Sequence, residues 1–199
     1  FGIFLLFYCY EVIFTIVEYQ TTVLLDLQTS NSTIQMSSML FLTTFISQVL
    51  GLFFALFGTA LILKRLSMRF ALMVMPLATA GLVLMLLFWP TLPVMLGVMT
   101  LLPTINFGFN APIREMLFIP TIKEIQFKSK AWIDSFGRTL SKTSGSTVNL
   151  LFLGAPIGAF FAFNAIFSLL LAGTWSAIAY FMGRKYEETT SRREVIGEK

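Results

Sequence analysis

The sequence predicts an all-α integral membrane protein with six transmembrane helices, and two observations lead to this class. Apolar residues make up 56% of the 199 residues and charged residues only 12%, while the mean hydropathy is +0.81. A soluble domain of this size lacks the charge to cover so much apolar surface. The apolar runs are also far longer than the roughly 10 residues of a barrel strand and do not alternate with polar residues, so they indicate helices.

Six segments are predicted as membrane spans, because a helix needs about 20 residues to cross a hydrocarbon core of roughly 30 Å. They lie near residues 1–27, 37–63, 70–90, 93–113, 131–153 and 158–182, and a charged tail follows at 184–199. Phe1 stands inside an apolar run, with no initiator Met and no basic segment before it. We therefore expect the chain to be a fragment whose upstream part is absent.

The basic residues of the predicted loops all fall on one side of the membrane. The positive-inside rule places residues 64–69, 114–130 and 184–199 in the cytoplasm or its organellar equivalent, with residues 28–35 on the opposite side. Six spans with both ends inside is the layout of half a major facilitator, although other six-helix membrane proteins share it.

Polar residues recur at helical spacing inside three of the predicted spans. Such residues usually face a bundle interior or a water-filled path, because exposing them to lipid is costly. The first span carries Glu11, Thr15, Glu18 and Thr22. The fourth span carries Asn106, Asn110 and Arg114, with Pro103, Gly108 and Pro112 predicted to loosen the helix around them. The fifth span carries Asp134, Arg138, Lys142 and Gly145, followed by Asn149.

These polar residues have two interpretations. They could tie the bundle together through salt bridges such as Glu18 with Lys142 or Asp134 with Arg138, and we assign Asp134, Arg114 and Glu115 near the cytoplasmic end to such a structural role. Lys142 lies about 18 Å along the helix from Lys130, near the middle of the bilayer, where it could attract an anionic solute. The predicted substrate-binding residues are Lys142, Arg138, Glu18, Asn106, Asn110 and Asn149. The residues predicted to carry a coupled proton or to pair with cations are Glu18, Glu11 and Asp134.

The composition gives little support for metal binding or for enzyme catalysis. The chain has no His and one cysteine, Cys9, so we predict no metal site and no cofactor. No set of nucleophile, base and oxyanion donor is evident, and an enzyme is not predicted. Membrane lipids are expected partners, and nucleic acid is not.

Four short stretches form a recognisable pattern, namely 17–20 (VEYQ), 115–121 (EMLFIPT), 128–134 (KSKAWID) and 141–145 (SKTSG). This pattern resembles the ATP/ADP translocase family of plastids and intracellular bacteria, whose members are facilitator-like nucleotide transporters. The resemblance implies the C-terminal six-helix half of such a transporter, in a bacterial or plastid-type inner membrane, partnered by an N-terminal six-helix half. It also implies that Glu18 and Lys142 act in nucleotide transport.

The chain departs from the family pattern at two places. Thr21 and Thr22 stand where family members often carry a Lys after the first-helix acid, and Ser141 and Thr143 alter the surroundings of the fifth-helix base. The loss of a cation weakens the case for a triphosphate and leaves another phosphorylated or anionic solute open. Two functions follow as alternatives. One is a transporter of nucleotides or related anions by alternating access, and the other is a non-transporting structural subunit of a larger membrane complex.

Overall fold

The computed structural model describes residues 2–29, 32–58, 67–119 and 121–192, and all the regular elements in these ranges are helices. α1 is Gly2–Gln28. α2 is Thr33–Phe53, continued by a π-helical turn at Phe54–Gly58, and α3 is Met68–Phe88. α4 consists of Leu92–Ile105, a π-helical turn at Asn106–Asn110, and Ala111–Met116. α5 consists of Lys123–Trp132, a π-helical turn at Ile133–Gly137, and Arg138–Leu151, and α6 is Ile157–Arg192.

Among the described residues, five helices are long and apolar enough to cross a membrane, namely α1, α2, α3, α4 and α6. This confirms a helical membrane protein. The predicted span at 131–153 is not one of the five, because α5 combines charged residues with many hydroxyl side chains and has no sufficiently apolar stretch. The six-span architecture therefore stays a prediction for α5.

The observed helix boundaries differ most from the prediction at α5 and α6. α5 begins at Lys123, eight residues before the predicted span at 131–153. α6 continues through Arg192, so the first part of the predicted tail is helical. An ion pair within the helix, from Arg184 to Glu188, supports this extension. The predicted cytoplasmic residues Lys64 and Arg65 and the segment 193–199 lie outside the described residues.

Local sequence explains where several helices begin and end. α3 ends at Phe88, two residues before Pro90, and α4 begins after Thr91 with Pro93 in its first turn. The π-helical turn at Asn106–Asn110 lies between Pro103 and Pro112, where the sequence predicts a loosened helix. Pro112 cannot donate a backbone hydrogen bond to the carbonyl four residues earlier, which lies within this turn, and this favours an irregular turn there.

α1 is the central helix of the bundle, since it packs against α4, α5 and α6. α3 packs along α6, and α2 packs mainly against α4. The core between α1, α3, α4 and α6 includes Ile13, Trp175 and Ala179, all of which are nearly inaccessible. α2 buries only Thr43, Ser47 and Gly51, at four-residue spacing, and most of its remaining surface is exposed and apolar.

One end of the bundle collects the start of α1, the start of α3, the α4–α5 connection and the end of α6. Gly2 lies against Met182, Gly183 lies against the backbone of Arg69, and Arg69 forms an ion pair with Glu187. The described parts of the three predicted cytoplasmic segments are therefore at the same end, opposite the end of α1 at Gln28. This arrangement agrees with the one-sided distribution of the basic residues.

Candidate functional site

A cavity of about 380 Å³ lies between α1, α4 and α5. On α1 its lining runs from Ile3 to Phe14, which covers about 16 Å of the helix axis. The volume falls within the range of roughly 300–1,000 Å³ typical of small-molecule sites. Several lining side chains are exposed, including Phe107, Arg138 and Lys142, so the cavity is open to the surface.

Charged side chains dominate the polar part of the lining. Four are basic and three are acidic: Arg114, Lys130, Arg138 and Lys142, and Glu11, Glu115 and Asp134. Lys130 forms an ion pair with Glu115, which leaves three cations and two carboxylates. The remaining set carries a formal charge of +1, since three positive charges oppose two negative ones.

Glu11 lies among the three remaining cations. Arg114 comes from α4, and Arg138 and Lys142 come from α5. Within the described ranges, none of the three is within ion-pair distance of the Glu11 carboxylate. Glu11 therefore offsets part of the positive charge without closing the cavity by a direct salt bridge.

The predicted asparagines of α4 are both buried. The Asn110 side-chain amide donates a hydrogen bond from Nδ2 to Oδ1 of Asn106 at 2.8 Å. Asn106 lines the cavity, whereas Asn110 is not among the lining residues. Asn110 is thus placed to orient the Asn106 amide, which is the one facing the cavity.

Asn149 lies elsewhere in the bundle. It is buried, and the Nδ2 group of Asn164 on α6 donates a hydrogen bond to its Oδ1 atom at 3.1 Å. The structure thus connects Asn149 to the α5–α6 contact and not to the cavity lining.

Glu18 is exposed and is not among the residues that line the cavity. Neither Glu18 with Lys142 nor Asp134 with Arg138 forms a salt bridge in the part of the chain that the structure describes. Arg138 and Lys142 are likewise exposed, but at the cavity lining. Of the two α1 acids predicted to act in the site, Glu11 is therefore the one that lines the same cavity as Lys142.

α1 and α5 are adjacent. Gly145 contacts Thr15 and the Val12 carbonyl so closely that an added Cβ atom would lie 2.8 Å from the Thr15 Cβ atom. The Tyr8 hydroxyl also donates a hydrogen bond to the Ser144 Oγ atom at 2.8 Å. This close packing fixes the position of Glu11 relative to the α5 cations.

The sequence interpretation did not predict that Arg114 lines the cavity. The Arg114 Nε group is buried without a hydrogen-bond partner, and the guanidinium carbon lies 5.1 Å from the centre of the Phe7 ring. The four-residue spacing from Asn106 and Asn110 was the available signal. Proximity to the cytoplasmic end instead favoured a structural role.

Comparison of the chain with protein-family models, with curated proteins and with solved structures finds no match. The site is accordingly defined by its geometry. It is an open, net positive cavity within a helical membrane protein.

Proposed function

We propose that the chain is part of a membrane transporter for a phosphorylated anionic solute, with nucleotides of the ATP/ADP type as the first candidates. The observation that carries this proposal is the cavity between α1, α4 and α5, where Arg114, Arg138 and Lys142 form no ion pair within the described residues. Cations without an ion-pair partner attract phosphate oxygens, and this attraction becomes stronger when a covering helical unit excludes bulk water.

The proposal includes a six-helix unit in which α5 also crosses the membrane. α5 is 29 residues long from Lys123 to Leu151, which corresponds to about 43 Å. Its cations Lys130, Arg138 and Lys142 line the cavity. The hydroxyls of Thr139, Thr143 and Thr147 each donate a hydrogen bond to a carbonyl four residues earlier. A helix with internally satisfied hydroxyls can be buried among other helices at low cost. We propose that a second six-helix unit covers this face and that alternating access results from rocking of the two units.

Glu11 takes the role of internal counter-charge in this proposal. It offsets part of the positive charge when the cavity holds no solute. An arriving anion then takes over the interaction with the cations. Glu11→Gln is expected to change the affinity for the anion, whereas Glu18→Gln, outside the cavity lining, is expected to leave it nearly unchanged.

Uptake by the intact protein in liposomes tests the function, with labelled ATP, ADP and a sugar phosphate offered in turn. Lys142→Ala should reduce saturable uptake strongly. Lys128→Ala is the matched control, because Lys128 is exposed, pairs with Glu124 and does not line the cavity. Equal uptake by the two variants would contradict the assignment of the cavity.

The exposed apolar surface of α2 favours a second candidate, a structural subunit that assembles with other membrane proteins. Buried only at Thr43, Ser47 and Gly51, this helix offers a long surface to lipid or to a neighbouring subunit. Absence of saturable anion uptake, together with normal assembly of the Lys142→Ala variant into a larger complex, would favour this candidate.

A further inference from the structure

The surroundings of Arg114 differ from those of the other cavity cations. Arg138 and Lys142 are exposed, whereas Arg114 is half-buried and its Nε atom is enclosed. The guanidinium lies near the face of the Phe7 ring, with its central carbon 5.1 Å from the ring centre. An aromatic face at this distance stabilises a cation and holds the guanidinium in one place.

The positive charge of Arg114 nevertheless has no ion-pair partner among the described residues. Within the described ranges, the ion pairs connect Arg69 with Glu187, Lys128 with Glu124, Lys130 with Glu115, and Arg184 with Glu188. Glu115 is the neighbour of Arg114 in sequence, yet it pairs with Lys130. Arg114 lines the cavity, and within the described residues it forms no ion pair there, which leaves its guanidinium available to a partner that arrives from outside.

We propose that Arg114 forms an oxyanion subsite in the cavity and binds the phosphate group of the solute. This inference rests on the proposed function and assigns the main phosphate contact to a residue other than Lys142. The planar guanidinium presents several N–H donors in a fixed fork that matches two phosphate oxygens at once.

The neighbouring charges favour phosphate over a simple carboxylate. A phosphate monoester has three terminal oxygens and carries up to two negative charges, so it can contact more than one cation. Arg114, Arg138 and Lys142 line the same cavity and form no ion pair within the described residues. Arg114 would contribute a fork held in place by Phe7, and the two α5 cations would contribute mobile charges.

Binding measurements on the purified intact protein test the subsite. Isothermal titration with ADP, glucose 6-phosphate and inorganic phosphate measures the affinity for the phosphate group in three settings, and adenosine serves as the probe without phosphate. The variants are Arg114→Gln, Arg114→Lys and Lys128→Ala as the control outside the cavity. The melting temperature of each variant separates loss of binding from loss of folding.

The expected result is phosphate-dependent binding by the wild type and by Lys128→Ala, with a loss of roughly 10- to 100-fold in Arg114→Gln. Arg114→Lys keeps the charge and the contact with the Phe7 ring but lacks the fork. It should therefore melt close to the wild type and still bind more weakly. If Arg114→Gln loses affinity equally for ADP and glucose 6-phosphate, Arg114 contacts the phosphate group that both compounds share. Separately, tighter binding of ADP than of glucose 6-phosphate by the wild type indicates that the solute is a nucleotide.

The alternatives are distinguishable. A wild type that binds phosphorylated solutes, together with an Arg114→Lys variant that binds them equally well, overturns the subsite and leaves the proposed function standing. This comparison decides the matter even if Arg114→Gln does not fold. A wild type that binds none of the three phosphate compounds overturns both the subsite and the proposed function.

Discussion

Substitution of Gly145 tests whether close packing of α1 against α5 supports the bundle. A Cβ atom at position 145 would lie 2.8 Å from the Thr15 Cβ atom and 3.0 Å from the Val12 carbonyl oxygen. Both distances are well below ordinary contact, and the carbonyl belongs to the α1 backbone, which cannot rotate away. Gly145→Ala must therefore push the two helices apart.

The size of the effect follows from comparison with a second glycine. Alanine has the higher helix propensity, by roughly 1 kcal/mol, and this gain opposes the steric cost. Gly173 provides the control, since it lies inside α6 and no atom is within 4 Å of an added Cβ atom. Because the propensity gain is shared, the difference between the two variants isolates overpacking, which costs about 1–3 kcal/mol.

Thermal unfolding of the intact protein in detergent, followed by tryptophan fluorescence, measures this difference. We expect Gly145→Ala to melt several degrees below Gly173→Ala. A Gly145→Ala variant that melts at or above the Gly173→Ala variant would show that the helices do not approach as closely as described.

Three further outcomes are expected. Asn149→Leu should destabilise the protein by about 1–3 kcal/mol, because it leaves the buried Asn164 amide unpaired, and a thermal-unfolding cycle with Asn164→Leu should show that the double variant loses less than the sum. Arg69→Ala should lower stability by up to about 1 kcal/mol, since it removes the ion pair between α3 and α6, whereas Arg184→Ala, whose ion pair lies within one helix, should leave the melting temperature unchanged. A cysteine introduced at Gln28 and another introduced at the C-terminal end of α6 should react with impermeant reagents from opposite faces of the membrane. Labelling of both from the same face would contradict the topology.

The sequence could predict the apolar helices because length and composition alone decide whether a helix can cross a membrane. It could not decide whether α5 crosses the membrane, because the cost of burying its polar residues depends on which helices cover them. The same limit applies to Glu11 and Glu18. Their spacing places them on one face of α1, but the spacing does not say how far the neighbouring helices extend along that face. The cavity ends at Phe14, so Glu11 lies inside it and Glu18 lies beyond it.

The polar stripe of α5 was predicted as one surface, and the structure divides it into two. Arg138 and Lys142 line the cavity, whereas the buried line of Ser141, Gly145 and Asn149 packs between the helices. Small and amide side chains allow close helix contact, while long cations need open space. The separation depends on neighbours that a single helix does not reveal.

The π-helical turn at Asn106–Asn110 has a consequence for helix phase. A π turn holds an extra residue compared with an α-helical turn, and one residue corresponds to about 100° around the axis. Everything after the turn is therefore rotated relative to a regular continuation of Leu92–Ile105. A regular helix would carry the Arg114 side chain away from Phe7 and Glu11. The position of the Arg114 guanidinium in the cavity thus depends on one inserted residue. Deleting one residue within the turn would rotate Arg114 out of the cavity while leaving both flanking helices intact.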